Sequence, residues 1–328
     1  MEQIKKRLPG VAIAALIAIP AWLLGGRFPI IGSPVLGILF GMLLAFWKRP
    51  PVLEIGITYT SKKLLQYSII LLGFGMNLFQ VFQVGGQTLV FMVFTLAATF
   101  LAAFLFGRIL HIDANTNVLI GVGTAICGGS AIAATAPVIR AKEEEVARAI
   151  STIFLFNVIA AFLFPALGHT LGMSDAQFGL WAGTAVNDTS SVVAAGYTFS
   201  NAAGDLAVIV KLTRTLMIIP VTLALAFYTS KKQAGQGEGS YQLSKIFPWF
   251  VLLFVVASVM NTFLPLPPQV STALTGAGKF MIVMAMAAIG LNTNLVRLVK
   301  SGWKPILLGF GCWAVLSMAS LAVQFFLF

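Results

Sequence analysis

GTAICGGSAIAA at residues 123–134 and GTAVNDTSSVVA at residues 183–194 are two versions of one phrase. Gly123-Thr124-Ala125 matches Gly183-Thr184-Ala185, and Ser130 matches Ser190, at a constant offset of sixty residues. Each copy holds a short centre that is polar or rich in glycine: Cys127-Gly128-Gly129-Ser130 in the first, Asn187-Asp188-Thr189-Ser190-Ser191 in the second. Both centres lie inside apolar segments. Polar breaks of this kind mark helices interrupted at membrane depth, whose freed backbone groups face a cavity and not lipid.

Composition supports that setting. Hydrophobic residues are 59% of the 328 and charged residues 9%, against about 25% charged in a soluble domain. The chain is therefore read as an all-α polytopic membrane protein, with one membrane domain over residues 1–328. A net charge of +11 raises nucleic acid as a partner. The basic residues lie mostly in short loops between apolar runs, so they are assigned to membrane orientation instead. Cys127 and Cys312 imply no disulfide framework. The lysines and arginine at 5–7 before an apolar run resemble a signal sequence, but no small-x-small cleavage site follows, and the run is read as a retained first helix.

Eleven apolar segments stand out, at 9–26, 30–47, 63–82, 87–107, 117–139, 149–171, 178–199, 206–229, 246–266, 278–296 and 303–328. Most reach the roughly 20 residues that a helical span needs. Residues 48–62 are read as an interfacial connector. The Gly/Gln/Ser-rich stretch 230–245 divides a first part, 1–229, from a second, 246–328.

Lysine and arginine positions put the N-terminus, residues 48–63, Arg108, the 230–245 linker and residues 297–304 in the cytoplasm. Residue 112 is then inside and residue 202 outside, so an odd number of crossings joins them. Either all three intervening segments cross, or only 149–171 does and the two phrase-bearing segments are re-entrant hairpins. The hairpin version leaves 17 of the 21 basic residues cytoplasmic, all but Arg27, Lys211, Arg214 and Lys279, and is favoured on that ground. Three crossings stay open, because Glu143, Glu144 and Glu145 dilute the signal of Arg140, Lys142 and Arg148. The expected location is a bacterial inner membrane.

A fainter echo, GMNL at 75–78 against GLNTNL at 290–295, suggests a duplicated architecture. Inverted repeats with interrupted helices are the mark of a secondary transporter. The run from GTAICGGSAIAA through PALG, with WAGTAVNDTSSVVAAG after it, resembles the YeiH (UPF0324) family, described as sulfate exporters. More loosely the layout is similar to the cation/proton antiporter and anion transporter superfamily. That resemblance implies two interrupted helices meeting in a core domain beside a panel domain.

Candidate site residues follow from the two phrases. Gly128 and Gly129 let the backbone bend and approach a ligand. The half-helix starting near Ser130 offers N–H groups and a positive dipole end to an anion, and Thr124 and Ser130 add hydroxyl donors. Small residues also line ordinary helix contacts, which is the plainer account of the same glycines. Asp188 is the one acid in the middle of an apolar segment, a functional position by default. It is expected to carry a proton, or to hold a coupling cation with Asn187 and Thr189, or to neutralise a buried cation. Lys211 and Arg214 share a helix face and are its expected partners, or contact the anion together with Thr189 and Ser190. The alternative is that they snorkel to a surface.

Asn77, Asn157 and Asn292 are weaker candidates, explained equally by interhelical hydrogen bonds, and His169 is read as a surface residue. No metal-ligand spacing, Walker loop or dinucleotide fingerprint occurs, so no cofactor, metal or enzymatic activity is expected. The expectation is a secondary active transporter, working outward, for a small sulfate-like or sulfonated anion, coupled to protons or sodium. A passive anion channel is the alternative, distinguished by flux that no ion gradient drives uphill. Assembly as a homo-oligomer is left open.

Overall fold

A computed structural model describes residues 2–28, 32–46, 49–232, 249–264, 266–293 and 302–327. Every regular element among them is helical. Apolar runs in lipid must satisfy their own N–H and C=O groups, and helices do so within one segment. Among the described residues, six stretches are long and apolar enough to cross a bilayer, and large side chains such as Leu23, Val93, Leu101, Phe104 and Met318 are exposed along them. Those outward faces suit contact with lipid.

The helices form two groups. The first contains α1 (Glu2–Arg27), α2 (Ser33–Leu44), α3 (Pro51–Tyr59), α4 (Leu65–Leu72), α13 (Trp249–Phe263) and α14 (Pro268–Asn292). Helices α2 and α14 pack closely within it. A methyl on Gly41 would lie 2.2 Å from the Ala287 carbonyl, and one on Gly290 2.3 Å from the Ile38 carbonyl. Only glycine allows two backbones this near. The second group contains α5 (Leu78–Ile109), α6 (Ala114–Ala125), α7 (Gly129–Thr135), α8 (Glu143–Thr170), α9 (Asp175–Ala185), α10 (Thr189–Phe199), α11 (Asn201–Leu216), α12 (Ile218–Lys232) and α15 (Trp303–Leu327). One apolar cluster ties the groups together, with Ile38, Leu72, Phe254 and Ile282 from the first and Val193, Ala194 and Val208 from the second.

Two sequence boundaries are corrected. The stretch expected to be an interfacial connector, 48–62, is helical from Pro51 and runs through a π-helical turn at Thr60–Leu64 into α4. Lys48 lies outside the described residues. The break expected between 82 and 87 falls instead at Gly73–Asn77, where Asn77 Oδ1 accepts the Phe79 N–H at 2.8 Å and caps α5. Gly85 and Gly86 are interior to α5. An isolated glycine pair costs a helix about 1 kcal/mol per residue, less than the surrounding apolar run recovers. Asn77 is thus a helix cap, and Asn292 is exposed at the end of α14. Residues 294 and 295 of the second echo, and the linker beyond residue 232, lie outside the described residues.

The phrase-bearing segments are hairpins. In the first, α6 runs inward, breaks at 126–128, and α7 returns. Ile132 packs against Gly123, its Cδ1 2.9 Å from where a methyl on Gly123 would sit. A contact nine residues apart requires the chain to fold back, since nine residues of continuous helix span about 13 Å. The two ends also meet: Asn115 Nδ2 donates to Glu145 Oε2 at 3.0 Å, and Arg148 lies 3.9 Å from Asp113. In the second hairpin, Ser200 Oγ donates to Asp175 Oδ1 at 2.7 Å, and Phe178 stacks on Phe199 at 4.0 Å. Helix α8 leaves the open end of the first hairpin at Glu143 and reaches that of the second at Thr170. The two hairpins therefore enter from opposite ends of α8. The two-hairpin alternative, not three crossings, matches this geometry.

Candidate functional site

The hairpin tips meet beside α8 and α11. At the first tip, Ile126 leaves helical geometry and Gly128 adopts φ 69°, ψ −128°. That conformation is essentially restricted to glycine. A methyl at Gly128 would lie 3.5 Å from Asp188 Cβ and 3.6 Å from Asn157 Nδ2. So the first tip touches both the second tip and α8.

Helix α11 supplies the cations. Lys211 and Arg214 are 0% and 1% exposed, so neither snorkels to a surface. Lys211 Nζ donates to the Ile126 carbonyl at 3.0 Å and the Val186 carbonyl at 2.9 Å. Arg214 donates from Nε to the Ala125 carbonyl at 2.7 Å, from Nη2 to the Thr124 carbonyl at 2.6 Å, and from Nη1 to the Thr184 carbonyl. The pairs 126/186 and 124/184 are related by the same sixty-residue offset as the two phrases. The repeat has a physical meaning here: each inbound half-helix ends on equivalent orphan carbonyls, and one lysine and one arginine cap both sets. These carbonyls carry the negative end of each half-helix dipole, so a buried cation is well placed there.

Asp188 is not paired as expected. No ion pair within 4 Å joins it to Lys211 or Arg214 among the described residues. It is the N-cap of α10: Oδ2 accepts the Ser190 N–H at 3.0 Å and also the Ser190 hydroxyl. A carboxylate at a helix N-terminus satisfies orphan donors and complements the dipole. The expected anion-binding N-terminus of α10 is thus occupied by the chain's own acid. Thr189 is half-buried beside it.

The corresponding positions in the first hairpin differ. Gly129 is half-buried and Ser130 is exposed. Cys127, at the position equivalent to Asn187, is 2% exposed.

Sequence reasoning undervalued Asn157. This α8 residue is 2% exposed, and its Oδ1 accepts the Asp188 N–H at 3.1 Å. Asn187, next in the chain to Asp188, is 1% exposed. Among the described residues the Asn157 Nδ2, both amide atoms of Asn187 and the Thr124 Oγ1 are buried without a hydrogen-bond partner. Buried polar groups left unpaired are costly and rare. The only sequence signal for Asn157 was an amide in mid-span; what raises it is contact with residues thirty positions away. His169 is exposed at the end of α8 and stacks on Phe199 at 4.3 Å, in keeping with a surface position.

A cleft of about 280 Å³ opens between the two helix groups at the end where the second hairpin enters. Ser33, Tyr197, Thr198, Ser200 and Lys279 are among its lining residues. Lys279 Nζ donates to Asn201 Oδ1 at 2.9 Å across the two groups, and the Tyr197 hydroxyl donates to Asp205 Oδ1 at 2.5 Å. Helix α10 connects this cleft to the tips. No group of histidine, cysteine and acidic residues with metal-binding geometry occurs among the described residues.

Relatives place the chain. The protein family described as "Conserved hypothetical protein 698" matches residues 9–309. A UPF0324 membrane protein of Streptococcus pyogenes serotype M6 is 52% identical over 329 residues, covering 97% of both chains. One from Streptococcus mutans is 50% identical over 331 residues, with 97% of each covered. Another, from Streptococcus pneumoniae, is 49% identical over 332 residues, covering 99% of this chain and 98% of its own. With the family matched over nearly its whole length and relatives at half identity end to end, the chain belongs to the UPF0324 family of membrane proteins.

Proposed function

We propose that the protein is a secondary active transporter for a small oxyanion of the sulfate, sulfite or sulfonate class. The observation that carries this reading is the pair of opposed hairpin tips with buried, unpartnered polar groups between them. Irregular backbone at membrane depth is tolerated where it is buried in protein or lines a cavity, and in secondary transporters paired breaks of this kind border the solute site. The sign of the solute follows from charge. Lys211 and Arg214 contribute two positive charges and Asp188 one negative, which leaves the tips formally at +1. A buried site of this sign favours an anion. The cations act through their field and by holding the tips, since their head groups are on backbone carbonyls. The cleft beside α10 supports access from one end.

Asp188 is the coupling group in this reading, with a proton the simplest ion to pair with a carboxylate whose remaining partner is a neighbouring serine. Export through a bacterial cell membrane is the expected direction. The opposed hairpins also support reading the chain as an inverted repeat.

Purified protein in liposomes, loaded in turn with labelled sulfate, sulfite and methanesulfonate under imposed pH, sodium and voltage gradients, tests the proposal. Uphill movement of one of these anions driven by an ion gradient is the expected result. Flux that only ever runs downhill would make the protein an anion channel. Movement of a cation or neutral solute with none of the three anions would sink the anion reading.

A further inference from the structure

We propose that Asn157 binds the solute directly, as an amide donor held in a fixed orientation at the point where the hairpin tips meet. The inference rests on the transport reading above and names the residue that touches the anion. An asparagine amide has an acceptor end and a donor end, and the hydrogen-bond network decides which is which. Here the Asp188 N–H, which can only donate, points at one end at 3.1 Å. That end must be Oδ1, so Nδ2 faces away from the α10 cap.

Its surroundings are those of a ligand contact. Nδ2 lies 3.6 Å from the position a methyl would take on Gly128, beside a tip where only glycine fits the backbone. Asn157 is 2% exposed and its Nδ2 has no partner among the described residues. Asn187, next in the chain to the Asp188 whose N–H Asn157 accepts, is 1% exposed with its whole amide unpartnered. The tip region therefore holds buried amide donors to spare. The nearby cations already serve five backbone carbonyls. A desolvated oxyanion needs fixed donors in place of its water, and neutral amides supply them while Lys211 and Arg214 supply charge at a distance.

The test separates the two ends of the amide. Asn157→Asp keeps an oxygen to accept the Asp188 N–H but removes the NH2 donor, whereas Asn157→Ala removes both. Sulfate, sulfite and methanesulfonate binding is measured on purified, folded protein in nanodiscs, with thermal unfolding alongside. The expected result is at least tenfold weaker binding in Asn157→Asp with an unfolding midpoint near that of the unsubstituted protein. Binding within twofold of the unsubstituted protein would make Asn157 a positioning residue for the α10 cap and overturn the proposal. Should a second carboxylate beside Asp188 prevent folding, Asn157→Ser replaces it. Serine keeps a donor and is expected to bind the anion more tightly than Asn157→Ala; equal affinities of the two would overturn the proposal equally. If the unsubstituted protein binds none of the three anions, the transport reading fails and this inference falls with it. Anion binding that ignores Asn157 removes this inference alone.

Discussion

The two hairpins begin from the same phrase and end as different objects. Their inbound halves are alike: Gly-Thr-Ala leads into carbonyls that Lys211 and Arg214 cap in matched pairs. Their outbound halves are not. Helix α7 has seven residues, starts on glycine without a side-chain cap, and leaves Ser130 and Ala133 exposed. Helix α10 has eleven, is capped by Asp188, and is buried on all sides from Ser190 to Gly196. The difference reaches single atoms, because Thr184 Oγ1 donates to the Leu180 carbonyl at 2.8 Å while the equivalent Thr124 Oγ1 has no partner among the described residues. The matched inbound ends each present carbonyls to a cation. The outbound ends diverge, one following a glycine turn and one packed as a wedge between the helix groups.

The comparison fails outright if the hairpins do not enter from opposite ends, so topology is the largest effect to test. In a background lacking Cys127 and Cys312, cysteines at Lys142 and Gly172 should react with impermeant maleimide from opposite sides of the membrane. The all-or-none pattern is expected, with position 142 on the side of Asp113. Labelling of both from one side would break the opposed arrangement.

Next is the shared clamp. Arg214→Met removes three charge-assisted hydrogen bonds and leaves carbonyls of both tips unsatisfied, a loss on the order of 3–5 kcal/mol for a buried charged group. Hydrogen exchange should quicken at residues 124–126 and 184–186 together. Acceleration at one tip alone would show that the arginine belongs to a single hairpin.

The glycine tip should be the more sensitive of the two to added bulk. Gly128→Ala forces alanine into a glycine-only conformation, at about 1–3 kcal/mol, and should lower the thermal unfolding midpoint. A variant as stable as the parent would mean that the first tip is relaxed and not held by Asp188 and Ile153.

The smallest effect sharpens the contrast furthest. Ser190→Ala removes a hydroxyl bonded to Asp188 and should cost about 1 kcal/mol. Ser130→Ala, at the matched but exposed position, should stay within about 0.5 kcal/mol. Equal losses in chemical unfolding would erase the proposed division of roles between the outbound halves.

The sequence was enough for what composition and covalent order control. Low charge and long apolar runs force helices in a membrane, because no other element satisfies a backbone in lipid within one segment. The sixty-residue echo located both breaks to within a residue or two, and lysine counting chose the hairpins. Boundaries were less legible where local propensity and context compete. Gly85-Gly86 reads as a break yet continues α5, while the real turn sits at Gly73–Asn77, held by partners nearly two hundred residues away such as Ser271 on the Phe74 carbonyl.

The site divides along the same line. Residue types at the tips are covalent facts, and the sequence named them. Which atoms they satisfy is decided by packing. Opposite charges in one sequence neighbourhood suggested an ion pair between Asp188 and Lys211 or Arg214, but the half-helix ends outbid it. Inbound carbonyls take the cations and the outbound N–H groups take the acid, because a broken helix exposes both poles of its dipole at once. Asn157 could not be singled out beforehand, since its role depends on Asp188 arriving from the opposite end of α8. Only the folded chain brings those two together.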